Sequence, residues 1–118
     1  MWPKNRNSKF GNQKQTVDGH SYDSKMEASV ASQLELRKKA GDIKEWERQY
    51  KVELYGENGS KICNYYVDFV VTHNDDRLEF IEVKGFETAI WKLKWKMFQD
   101  KFGKDFTKVL TVLRKEDI

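Results

Sequence analysis

Three side chains in the second half of the chain have the types and spacing for one piece of chemistry. Asp68 interrupts the apolar run Tyr65-Tyr66-Val67-Asp68-Phe69-Val70-Val71, and Glu82-Val83-Lys84 follows Phe80-Ile81. An acid inside such a run is costly unless something partners it. Side chains alternate along a strand, so Glu82 and Lys84 share a face, roughly 7 Å apart along it. The loop Asn74-Asp75-Asp76 can close an antiparallel hairpin in which Thr72 faces Leu78. Four residues further back, Asp68 then faces Glu82, with Cβ atoms about 4.5–5.5 Å apart. Two carboxylates that close repel and raise one pKa unless something positive lies between them. A hard divalent cation with oxygen ligands meets that need, and Lys84 alone meets it only in part. The set suits phosphodiester hydrolysis. Mg²⁺, or Mn²⁺ in its place, held by Asp68, Glu82 and the backbone carbonyl of Val83 would polarise a phosphate and acidify a bound water. Lys84 would orient that water and stabilise the charge of the phosphorane. A salt-bridged exposed face fits the same spacing and contributes little energetically.

These residues need elements to position them. Thr16 to Tyr22 reads as a small hairpin turning on Asp18-Gly19. Ser24-Lys25-Met26-Glu27 has the capping-box pattern, so a helix is expected to start there. Met26, Val30 and Leu34 form its apolar stripe, and Gly41 is its expected stop. Glu27 then either only caps the helix or presents a further carboxylate from the first turn toward the metal. Trp46, Tyr50, Val52 and Leu54 share one parity, which predicts a strand ending near Gly56, and Glu57 to Ser60 is a turn. Ile62 to Thr72 reads as a central strand and Leu78 to Lys84 as the next. Thr88 can cap a second helix running to about Phe102, with Ile90, Trp91, Trp95, Phe98 and Phe102 on or near its inner face. Phe106 to Leu113 reads as a last strand. The order of helix, three strands, helix and strand points to one α/β domain with a mixed sheet.

The 118 residues suffice for a single modest core. No apolar run approaches the roughly 18 residues of a membrane helix, and no apolar signal-peptide core is present, so the expected location is intracellular. Cys63 is the only cysteine, which excludes an internal disulfide framework; it reads as a small strand residue. His20 and His73 are the only histidines, too few for most zinc hydrolase patterns, and read as turn residues. The net charge of +3 is unevenly laid out. Residues 1–16 hold four cations and no acid, residues 17–83 nine cations and fourteen acids, and residues 88–115 eight cations and two acids. Basic ends around an acidic middle suggest a polyanionic partner. Residues 1–15 read as a flexible arm whose Lys4, Arg6, Lys9 and Lys14 could order on DNA, and residues 16–118 as the folded domain. Lys92, Lys94, Lys96 and Lys101 directly follow the acidic strand and are read as phosphate contacts. Trp91 and Trp95 read as core or as a dimer interface.

Asp68…Glu82-x-Lys84, preceded by a helix with a first-turn glutamate, resembles the PD-(D/E)xK nuclease superfamily. The fuller string, from Tyr22-Asp23-Ser24-x-x-Glu27 and Leu34 to Asp68-Phe69 and Glu82-x-Lys84-Gly85, is similar to the endonuclease I type of phage Holliday-junction resolvase. The stretch from Thr16 to Ala28 also resembles a poorly described family of small phage nucleases. The resemblance implies a restriction-endonuclease-like domain and metal-dependent DNA cleavage leaving a 5′-phosphate and a 3′-hydroxyl. It implies Glu27, Asp68 and Glu82 as acidic active-site positions and Lys84 as the catalytic lysine. It further implies a phage-encoded protein working in a bacterial cytoplasm on four-way junctions. The partner would be a second copy of the chain, with segments exchanged so that Glu27 acts in the other subunit's site. Many members carry Pro before the first Asp, where this chain has Val67. The competing readings are a less selective nuclease or nickase of the same fold, a non-catalytic nucleic-acid-binding module, and a phage structural protein whose tryptophans form a partner surface.

Overall fold

The computed structural model describes residues 18–102, 105 and 107–118, with side chains from Ser24 onward. The basic arm with Lys4, Arg6, Lys9 and Lys14 lies outside the described residues, as does the expected strand start at Phe106. The elements are α1 (Asp18–Lys39), β1 (Glu45–Tyr55), β2 (Lys61–Thr72), β3 (Leu78–Val83), α2 (Ala89–Phe102) and β4 (Lys108–Leu113), followed by a short 3₁₀ turn, Lys115–Asp117. The expected order holds, and the fold is a mixed α/β domain. No helix among the described residues is long and apolar enough to cross a membrane.

The four strands lie in sequence order, β1-β2-β3-β4. β1 pairs antiparallel with β2, and β2 with β3, whereas β3 and β4 are parallel. Parallel neighbours need a long crossover, and α2 supplies it. The β2–β3 register is the expected one, with Thr72 facing Leu78. The His73–Arg77 turn that sets it is closed by bonds from the His73 N–H to the Arg77 carbonyl and from the Asp76 N–H to the His73 carbonyl. His73 is thus a turn residue, although its ring also meets Glu79 at 2.8 Å.

Helix α1 corrects two expectations. Asp18-Gly19 does not turn a hairpin, because the chain is already helical at Asp18. An acid at that end suits the helix dipole, and Gly19 falls in the first turn, where it weakens the helix least. Ser24 and Glu27 therefore lie in the helix interior and form no capping box, which works only where first-turn N–H groups are free. The far end is as expected. Gly41 takes φ 83°, its N–H bonds to the Lys38 carbonyl, and the Asp42 N–H bonds back to that of Arg37. This Schellman closure needs a left-handed residue, which glycine provides without strain.

The sheet carries a helix on each face. Met26, Val30 and Leu34 of α1 pack with Ile43, Phe69, Val71, Ile81 and Val83. Trp91, Trp95 and Phe98 of α2 pack with Val52, Leu54, Tyr65, Val67, Val70 and Phe80. Both tryptophans are therefore core residues, and Cys63 is partly buried against the same cluster. Each large apolar side chain so buried contributes roughly 1.5–3 kcal/mol. Ile90, expected on or near the inner face, is 68% exposed. The buried stripe of α2 follows Trp91, Trp95 and Phe98 at helical spacing, and Ile90, one residue before Trp91, falls beside it.

Candidate active site

The alternation that makes a strand two-faced breaks in the middle of β2, and Asp68 occupies the break. On β1, Trp46 packs against Phe69 and donates its Nε1–H to Glu35 of α1, 3.0 Å away. Arg48 lies over the Phe69 ring, 5.6 Å from its centroid. Tyr50 meets Phe80 on the α2 side, and Val52 and Leu54 follow it there. These residues all have even numbers, so a regular strand would hold them on one face. The strand predicted from the shared parity of Trp46, Tyr50, Val52 and Leu54 is present, but these residues do not share a face. On β2 the same happens: Tyr65 and Val67 pack under α2, whereas Phe69 and Val71 pack under α1. The register runs through unchanged, from Arg48↔Phe69 to Tyr50↔Val67. The switch of face therefore falls on Gln49 and Asp68, which lie across from each other. Gln49 carries it with a left-handed backbone, φ 51°, which costs a residue with a side chain about 1–2 kcal/mol. The strand is reoriented here without the proline that many nucleases of this pattern carry before the acid.

At this switch the β2–β3 ladder gives way to side chains. Regular pairing runs from Thr72↔Leu78 to Phe69↔Ile81. One step further, the Asp68 N–H donates to Glu82 Oε2 at 2.9 Å, and the Val83 N–H donates to Asp68 Oδ2 at 2.8 Å. Asp68 and Glu82 have 7% and 1% of their surface exposed, and among the described residues they are the only buried charged side chains. The Trp91 Nε1–H donates to Glu82 Oε1 at 2.6 Å and also reaches the Tyr65 hydroxyl at 3.2 Å. Thr88 fixes Trp91: its Oγ1 accepts the Trp91 N–H at 3.0 Å and caps α2 as expected. Lys84 closes the set. Its Nζ stands 3.7 Å from Glu82 Oε1 and 5.0 Å from the Trp91 ring centre, with 17% of the side chain exposed.

Burial, reinforced by the Asp68 charge and opposed by Lys84, pushes the Glu82 carboxyl up to about 8. Burial and the Glu82 charge also drive the Tyr65 hydroxyl well above its ordinary value, so it remains protonated. Asp68, Glu82 and Lys84 are thus brought together. The Val83 N–H points at Asp68, and because a strand residue directs its N–H and C=O to the same side, the Val83 carbonyl lies on that side too.

Glu27 is placed differently. It sits in the interior of α1, with Arg48 Nη2 3.8 Å from its Oε1. It is not gathered with Asp68 and Glu82 into one cluster; among the described residues no three acids, histidines or cysteines are so gathered. The metal donors on hand are two carboxylates and a backbone carbonyl, a hard oxygen set that suits Mg²⁺ or Mn²⁺. Of the lysines, Lys92 and Lys96 are exposed one turn apart on α2, and Lys94 is half-buried. Lys101 is exposed, but its Nζ donates to the Glu53 carbonyl at 3.0 Å. Trp91, Tyr65 and Arg48 were not singled out as site residues. The signal for Trp91 was available, since a Thr88 cap just beyond Glu82-x-Lys84 starts α2 against the acidic strand.

A family model described as "Protein of unknown function (DUF1064)" matches residues 7–115. No curated protein and no solved structure matches the chain.

Proposed function

The chain belongs to the DUF1064 family, whose description names no activity, and we propose that it is a divalent-metal-dependent DNA endonuclease. The observation that carries this reading is a buried carboxylate pair whose burial makes poor sense as structure. Burying two acids side by side costs several kcal/mol per charge unless cations or hydrogen bonds offset it. Among the described residues Lys84 Nζ stands 3.7 Å from Glu82, and the pair displaces regular ladder bonding. An apolar pair would pack the same strands at less cost. A divalent cation removes the repulsion.

Asp68, Glu82 and the Val83 carbonyl would hold Mg²⁺ or Mn²⁺. The ion supplies Lewis acidity and a more acidic bound water. The Trp91 indole and the Asp68 N–H hold the Glu82 carboxylate in place, and the Val83 N–H holds Asp68. Lys84, steadied on the Trp91 ring, orients the attacking water and offsets charge on the phosphate in the transition state. Lys92 and Lys96 project from the helix that carries Trp91 and would receive flanking phosphates. A binding module that cuts nothing has no use for an ammonium beside a buried acid pair.

The substrate we propose is branched DNA, cut to a 5′-phosphate and a 3′-hydroxyl by a homodimer, since a four-way junction needs two symmetric cuts. This part rests on the resemblance to phage resolvases. Incubating the purified protein with a four-way junction and its matched duplex, with and without Mg²⁺, tests both levels. Metal-dependent cutting of the junction in preference to the duplex is expected. Equal cutting of both would remove the resolvase reading, and no cutting with Mg²⁺ or Mn²⁺ would remove the nuclease reading.

A further inference from the structure

Two described residues other than glycine have a left-handed backbone, Gln49 (φ 51°) and Asp76 (φ 69°). Asp76 closes the tight turn after β2, where aspartate tolerates that conformation. Gln49 is in the middle of β1, where no turn calls for it. Its neighbours in register, Arg48↔Phe69 and Tyr50↔Val67, set it across from Asp68. Glycine would adopt this backbone freely, yet the chain carries a carboxamide. That side chain is exposed and makes no hydrogen bond with the described residues. Among the described residues it secures nothing. A strained position beside the buried acids thus carries a polar group that the fold leaves uncommitted, and such strain gathers at functional sites.

We propose that Gln49 contacts the substrate of this site, its carboxamide N–H donating to a non-bridging oxygen of the phosphodiester presented to Asp68 and Glu82. The chemistry favours a neutral donor here. A cation at this position would pair with the acids and compete with the metal, and an acid would repel the phosphate. A carboxamide binds a phosphate oxygen without doing either.

The inference rests on the nuclease reading, and the experiment separates the two. Gln49→Gly and Gln49→Asn are compared with the unaltered chain by thermal unfolding without metal and by single-turnover cleavage in Mg²⁺. The DNA is whichever of the four-way junction and its duplex the unaltered chain cuts faster. Gln49→Gly relieves the left-handed strain, so its unfolding temperature rises by roughly a few degrees while its cleavage rate falls about tenfold or more. Gln49→Asn tolerates the same backbone, retains a carboxamide and recovers part of the rate. A Gln49→Gly variant that cuts at the unaltered rate, or that unfolds earlier than the unaltered chain, overturns the role of Gln49 and leaves the nuclease reading standing. An unaltered chain that cuts no DNA overturns both.

Discussion

The β2–β3 hairpin has two halves built on opposite principles. Near the turn, from Thr72↔Leu78 to Phe69↔Ile81, backbone bonds to backbone, and apolar side chains such as Phe69, Ile81 and Phe80 fill the two cores. Beyond Phe69 the carboxylates of Asp68 and Glu82 take up N–H groups of the facing strand. The first half stabilises the fold. The second holds two acids in a dry environment, where burial and the Asp68 charge push the Glu82 carboxyl up. Apolar packing and buried acids are therefore divided along a single pair of strands, one step apart.

The comparison is broken most severely by Asp68→Ala. Cleavage is expected to fall about a thousandfold or more, the scale of losing a group that acts with the metal, while junction binding persists. Equal loss of both in a gel-shift and cleavage pair would assign Asp68 to folding or DNA binding instead. In the apolar half, Phe80→Ala should destabilise by about 3–5 kcal/mol in denaturant unfolding. Glu82→Gln, which matches the protonated carboxyl in shape, should cost no more than about 1 kcal/mol of metal-free stability. A loss as large as that of Phe80→Ala would mean that the acidic half is structural after all.

A pH series sharpens the contrast. The folded chain holds a proton on Glu82 up to about pH 8, whereas the ordinary value is 4.5. Between those values the native state binds the extra proton, so metal-free stability should fall as pH rises from 4.5 to 8, by at most about 1.4 kcal/mol per pH unit. Glu82→Gln should flatten that fall, and an unchanged slope would place the titration elsewhere. The smallest effect belongs to the surface. Lys92→Ala with Lys96→Ala should reduce the slope of log affinity against log salt by about 2, and an unaltered slope would take α2 off the DNA.

Much of this layout was legible in the chain. The Asn74-Asp75-Asp76 loop fixes the register that sets Asp68 across from Glu82, and Gly41 and Thr88 mark helix ends through backbone bonds that only certain residues can complete. The change of face at Gln49 and Asp68 was not legible. Glutamine carries no signal for a left-handed backbone, and parity assigns Trp46 and Val52 to one face whether or not the strand is reoriented between them. The capping-box pattern at Ser24 misled because a local motif is silent about helix continuing upstream of it. Glu27 accordingly meets Arg48 from the interior of α1, not from its first turn.

The central claim is that Asp68 and Glu82 together hold one divalent ion, and calorimetric titration of Mn²⁺ at pH 8 tests it most directly. The unaltered chain should bind one ion and release protons as it does so, because the metal displaces the proton that burial keeps on Glu82. Asp68→Asn, folded to the same degree by circular dichroism, should lose that binding. Absence of binding by the unaltered chain, or equal binding by the variant, would contradict the account.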